Sequence, residues 1–175
     1  MNISSLVEPI LKTPTQPFDF ENPPFNAEEF AEKLVNIMQN RNGIGIAANQ
    51  IGVPYSIFAI ASDPIYVCFN PMIVHESEEQ VLLEEGCLSF PDLFVKIKRP
   101  KLIRLRFADY NGNVHTFKFE GITARAIQHE MDHLKGELFF NKANKYHREK
   151  ALHKSNKREV KKTLGFSRVG LSNKF

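Results

Sequence analysis

Gln128-His129-Glu130-Met131-Asp132-His133-Leu134-Lys135-Gly136 is the stretch from which the chain is best read, because it holds the array H-E-x-x-H. On an α-helix, His129 and His133 share one face with about 5–6 Å between their Cβ atoms, so both imidazoles reach one metal ion. Glu130 then lies beside that ion, where a general base stands when an activated water is the nucleophile. Such an array arises by accident at about one position in 8,000, which favours a site over a pair of solvated helix histidines. Gly136 suits the C′ position of this helix, and Thr123, after Gly121, suits its N-cap. Ile122, Ala126, His129 and His133 fall along one edge, which places the ion at the bottom of an apolar pocket.

A catalytic zinc-like centre takes three protein ligands and leaves one position for water. A histidine ten residues after His129 would complete one known pattern, but Phe139 stands there and cannot ligate. Glu137, Glu149 and Glu159 are either too close to the array or inside a basic tail. Upstream, Glu85-Gly86-Cys87-Leu88-Ser89 sets a cysteine between a flexible glycine and a turn-like run, and a thiolate is a good soft ligand for zinc or ferrous iron.

Three motifs now stand in order: Gly43-Ile44-Gly45-Ile46-Ala47-Ala48-Asn49-Gln50, Glu85-Gly86-Cys87-Leu88-Ser89 and Gln128-His129-Glu130-Met131-Asp132-His133. Together they make the sequence resemble the peptide deformylases over roughly residues 26–140. The resemblance implies an α+β fold, mainly antiparallel sheets packed around a central metal-binding helix. It implies a divalent ion on Cys87, His129 and His133, Fe(2+) first, with Zn(2+), Ni(2+) or Co(2+) as substitutes. The implied reaction is hydrolysis of the N-formyl group from the initiator methionine of a nascent polypeptide, releasing formate. Glu130 would be the base, with Gln50 and the Leu88 backbone N–H holding the oxyanion. The peptide would lie as an added strand on backbone groups of Ile44, Gly45 and Gly86. Its methionine side chain would enter a pocket of Ile44, Leu83, Ile122, Ala126 and the His129 ring. Glu85 and Arg99 are expected to pair behind the cysteine loop, and Arg125 stands where some relatives carry an apolar residue.

Composition bounds the setting. A chain of 175 residues, 42% apolar, suits one soluble domain with a real core. No apolar run nears the ~18 residues a membrane span needs, and Met1-Asn2-Ile3-Ser4-Ser5 lacks the layout of a secretion signal. A cytoplasmic protein is expected, with no membrane and no DNA among its partners. Two cysteines do not make a disulfide framework, and Cys68, within Ile65-Tyr66-Val67-Cys68-Phe69, reads as a buried strand residue. Residues 141–175 hold eleven Lys or Arg against Glu149 and Glu159, a net of +9, which leaves −6 on the remainder. That asymmetry points the tail toward a polyanion, and the resemblance implies the ribosome. The expected organisation is a single catalytic domain over 1–146 and a basic, partly helical tail over 147–175.

Residues 1–26, broken by proline, should wrap the domain in extended form. Asn26 is a candidate N-cap, with Glu29 three residues on and Phe30, Leu34, Ile37 and Met38 as the stripe of a helix ending near Asn40. Gly43-Ile44-Gly45 lacks the third glycine and the preceding strand of a dinucleotide loop, so its glycines are expected to admit another backbone. Strands are expected over Tyr55–Ile60, Ile65–Phe69, Met72–His75, Gln80–Leu83 and Leu93–Lys98. Lys101–Tyr110 and Val114–Glu120 should form a hairpin on a type I′ turn at Asn111-Gly112. His75, His115, His147 and His153 have no ligand spacing and read as surface residues. Two rival readings remain on the residues alone: a metalloprotease lacking an identified third histidine or oxygen ligand, and a non-catalytic metal module with an undetected fourth ligand.

Overall fold

Every residue of the run Ile57-Phe58-Ala59-Ile60 is buried, which requires cover on both faces of the sheet that holds it. The computed structural model describes residues 9–156 and supplies that cover. Five strands form one antiparallel sheet in the order β1-β2-β3-β6-β7: β1 (Gly45–Ala47), β2 (Ile57–Ile60), β3 (Tyr66–Glu76), β6 (Leu102–Ala108) and β7 (Val114–Glu120). Between β3 and β6 the chain leaves to make a separate two-stranded sheet, β4 (Gln80–Cys87) with β5 (Phe90–Pro100).

Helix α1 (Ala27–Asn40) starts where its cap residue predicts, with Asn26 Oδ1 accepting from the Glu29 N–H at 3.0 Å. Its Phe30, Leu34 and Met38 pack on the face of the large sheet formed by Ile46, Ile57, Ala59 and Phe69. Helix α2 (Gly121–Leu134) covers the other face, setting Ala124, Ile127, Met131 and Leu134 against Phe58, Ile60, Cys68, Ile103 and Leu105. Cys68 is fully buried, and burial pushes its thiol well up. A third apolar cluster joins Phe90, Leu93, Val95 and Ile97 of β5 to Leu11, Phe139, Ala143 and Ala151. Ala151 lies on α3, which is helical over 145–156. The α+β class is as expected, with α2 central.

Four local expectations are corrected. Helix α2 begins at Gly121 rather than after a Thr123 cap; Gly121, at φ +63°, turns directly out of β7, and Glu120 at the cap makes no side-chain bond. Asn70-Pro71 does not end β3, because register shifts and a φ of +48° at Asn70 absorb it as a bulge. The β6–β7 turn is not type I′: only Gly112, at φ +84°, is left-handed there, and its N–H donates to Asp109 O at 3.0 Å. Asp109 Oδ1 accepts from the N–H groups of Asn111 and Asn113 at 2.9 and 3.0 Å, which favours a type I turn with a glycine bulge. His115 is half-buried with Nε2 2.9 Å from Asp109 Oδ2, and His147 is also half-buried; His75 and His153 are exposed as read. Among the described residues no helix is long and apolar enough to cross a membrane. Val160, Leu164 and the rest of the tail beyond 156 lie outside the described residues, as do residues 1–8.

Gly136 ends α2 at φ +69°, and a Cβ there would fall 2.7 Å from the carbonyl carbon of Thr13. Gly52, at φ +84°, has nothing within 4 Å of such an atom. Gly52→Ala should therefore cost only left-handed strain, roughly 1–2 kcal/mol, and Gly136→Ala more, read as urea midpoints at unchanged m-value.

Candidate active site

The small sheet is a hairpin that turns at Leu88-Ser89, where Cys87 pairs with Phe90, so the cysteine occupies its tip. The tip is brought against α2, whose sheet-facing residues leave His129 and His133 turned toward the hairpin. Cys87 Sγ lies 3.1 Å from His133 Nε2. One donor atom each from Cys87, His129 and His133 lie within 4.8 Å of one another. A borderline-soft set of one sulfur and two imidazoles at this separation fits a single divalent ion of the zinc or ferrous type.

Electrostatics favour a cation there. Burial lowers the His129 imidazole, but hydrogen bonds to Cys87 and Glu85 outweigh it and hold the group at about 10. The field that keeps a proton on His129 would equally attract a metal ion. His133 is pushed well below the usual histidine range by burial and by the charges of His129 and Arg99, so its ring is neutral and has a lone pair to offer. His129 Nδ1 meets Glu85 Oε2 at 3.2 Å, which turns the other ring nitrogen toward the cysteine. Burial raises Glu85, yet its bonds with His129 and Arg99, and their charge, hold the carboxyl at about 2.

Behind the site Glu85 gathers more than the Arg99 that the sequence pairs with it. Arg99 Nε donates to Glu85 Oε1 at 2.7 Å and its Nη1 lies 2.9 Å from Asp132 Oδ2. Arg125 Nη1 donates to Glu85 Oε1 at 2.6 Å. All four side chains are at most 6% exposed. The polar end of Arg125 is thus consumed inside the protein. Its place in this cluster, like that of Asp132, was not foreseen, since each looks like an ordinary helix charge.

Glu130 is 3% exposed and its Oε2 has no hydrogen-bond partner. Burial raises its carboxyl to about 7, opposed by the nearby His129. Gly45 of β1 makes room for it: a Cβ at Gly45 would fall 2.5 Å from Glu130 Oε1. The glycines of the first motif thus admit side chains, Glu130 at Gly45 and Leu88 at Gly43, and Gly43 also has the backbone oxygens of Gly45 and Met38 close by, at 3.2 and 3.5 Å from the position of a Cβ. Gln50 sits in a 3-10 turn after β1, with Oε1 accepting from the Ala47 N–H at 2.8 Å. Its Nε2 donates to Ser89 Oγ at 3.0 Å and lies 3.6 Å from Cys87 Sγ. Asn49, unassigned from sequence, donates to His133 O at 2.6 Å and ties that turn to the end of α2.

These groups open on a cavity of about 410 Å³ that includes Ile44, Gly45, Gly86, Leu88, Ile122 and Ala126 in its lining. Leu83, expected in the same wall, does not line it and is 42% exposed on β4. Phe94 does, with its ring against Gly86; its exposed strand position gave no sign of this. A model of the polypeptide deformylase family matches residues 1–149.

The chain belongs to the polypeptide deformylase family.

A peptide deformylase of Treponema pallidum is 35% identical over 153 residues, 87% of this chain and 93% of that protein. A class I type b peptide deformylase from Acinetobacter baumannii matches with a TM-score of 0.77 at 33% identity, over 81% of this chain and 97% of the other. The Arabidopsis thaliana peptide deformylase 1B, solved with an inhibitor, matches at 0.83 and 27% identity, over 92% and 91%. This deformylase-family chain is a hydrolase with a candidate metal site at Cys87, His129 and His133. Arg99→Met would leave Asp132 and Glu85 short of a buried partner and should cost about 3–5 kcal/mol by chemical denaturation.

Proposed function

We propose that the chain removes the N-formyl group from the initiator methionine of nascent polypeptides, hydrolysing the formamide C–N bond and releasing formate. The observation that carries this reading is the convergence of the Cys87, His129 and His133 donors within 4.8 Å beside the buried carboxylate of Glu130. Cys87, His129 and His133 would hold one divalent ion, Fe(2+) by family resemblance, with Zn(2+), Ni(2+) or Co(2+) able to take its place. When bound, the ion would supply Lewis acidity, polarising the formyl carbonyl and making a water more acidic, though less so with a thiolate ligand than in an all-histidine site, so that a base is still needed.

Glu130 takes that proton as water attacks the formyl carbon, then returns it to the departing amine, which leaves poorly as an anion. Its raised affinity for a proton suits both halves of the task. Gln50 is held in advance by Ala47 and Ser89, so its amide N–H meets the developing oxyanion at little reorganisation cost, helped by the Leu88 N–H. Both β1 and β4 are outermost strands, β1 in the large sheet and β4 in the hairpin, and both border the cavity. A peptide inserted there adds a strand on Ile44, Gly45 and Gly86, which binds main chain without reading each side chain. The methionine side chain then enters the space between Ile44, Ile122, Ala126 and His129, without Leu83.

On this reading residues 1–146 form the catalytic unit, extended by the part of α3 that packs under β5 through Ala151, the reaction is cytoplasmic, and the basic tail from 147 contacts ribosomal RNA. Removing residues 157–175 should leave turnover of short peptides intact and weaken ribosome co-sedimentation at low salt.

Anaerobic assay of formyl-Met-Ala-Ser tests the reaction directly: formate should appear, be lost on chelation and return with added Fe(2+). Glu130→Gln should lower kcat by about 10²–10⁴. Gly45→Ala, which displaces Glu130, should cost on the order of 10² with the fold retained by circular dichroism. Casein cleavage without formate release would reject the proposal.

A further inference from the structure

The sulfur and the imidazoles belong to two bodies that share no strand ladder. Cys87 is at the tip of the β4–β5 hairpin, and His129 and His133 are on α2, which packs on the five-stranded sheet. The hairpin is anchored at its base, where Ser77 N donates to Leu102 O and Lys101 N to Glu79 O, both at 2.9 Å. From Gln80 to Cys87 the strand then runs about 23 Å to its tip at ~3.3 Å per residue. Two-stranded ribbons twist freely and are marginal alone. The apolar cluster under β5 draws this one in, but burial is non-directional and does not by itself set where a tip atom stands.

Arg125 meets the hairpin at three points. Nη1 donates to Glu85 Oε1 at 2.6 Å and to Ile97 O at 3.0 Å, and Nη2 donates to Val81 O. One planar, permanently charged group thus grips the backbone of both hairpin strands and the carboxylate that orients His129, two residues before Cys87. Arg125 is itself one helical turn before His129 and 5% exposed. Arg99 and Gln128 also bridge hairpin and helix, through Asp132 and through Pro100 O at 3.0 Å, but neither donates to the main chain of β4.

We infer that Arg125 is a positioning residue that sets the register of the ligand hairpin on the ligand helix, and so governs how tightly Cys87 and the two histidines retain their metal ion. The inference rests on the proposed metal site and adds to it a residue that touches neither ion nor substrate.

The test uses the full chain loaded anaerobically with Co(II), whose thiolate charge-transfer band reports the Cys87 bond, followed by chelator challenge well below the melting temperature. Arg125→Met should shift that band and lose cobalt about ten-fold or more faster than the parent protein, the scale expected when a ligand's outer partner is removed. Arg125→Lys should not restore the parent rate, since one ammonium cannot serve Val81 O, Ile97 O and Glu85 together. The lysine variant also carries the measurement if the methionine variant does not fold. Ile103→Val, in the core of the large sheet, controls for stability: it should lower the melting temperature and leave band and rate unchanged. Parent-like band and release in the folded Arg125 variants would overturn the inference while leaving the metal site standing. Full rescue by lysine would overturn it too, charge alone then being sufficient. No thiolate band in the parent protein would overturn the metal site and this inference with it.

Discussion

A cysteine sulfur on one sheet has to be held beside two imidazoles on a helix that packs against another sheet, and no backbone ladder joins the two. Most of the structure around the site answers that constraint. Glu85 is its hub, receiving Arg99 and Arg125 and meeting His129 Nδ1, so that hairpin and helix share one buried carboxylate. Burying an acid, two guanidiniums and Asp132 is costly, and such a cluster persists only when nearly every donor and acceptor is satisfied. Here the cost is offset by directional bonds that apolar contact does not supply.

Helix α2 serves two surfaces at once. Residues at 124, 127, 131 and 134 meet the large sheet, while those at 122, 126, 129 and 130 line the cavity. The same helical period that buries the first set presents the second, so stability and chemistry are written on different faces of fourteen residues. Glycine completes the arrangement where side chains have no room: at Gly45 for Glu130, and at Gly136 for the backbone of residues 12 and 13.

Desolvation explains how Glu130 differs from Glu85. Both are almost fully buried, yet Glu85 is held near 2 by the groups bonded to it and Glu130 rises to about 7 with an oxygen unbonded. The first is a fixed anion that orients; the second has the proton affinity that the proposed base requires. Two carboxylates close together on one site are thereby driven apart in role by their partners rather than by their chemistry.

Spacing within one element was enough for the sequence to set the histidines at 129 and 133 on one helix face and to indicate the cap at Asn26, the alternation along β6 and the buried character of Cys68, because each follows from local spacing. Cys87 could be picked out from the sequence as a soft-ligand candidate once the nearer residues were excluded, but its union with the histidines came only through resemblance, since forty-two positions separate it from His129 and nothing local measures that gap. Tertiary structure alone decided that Arg125 turns inward, that Leu83 misses the cavity, that Phe94 joins it, and that Asp109 builds a different turn from the one Asn111-Gly112 signals. Each of these depends on which distant atoms arrive nearby: a charge is drawn into a core when a buried carboxylate and free carbonyls await it, and one sequence of residues cannot state what another will bring.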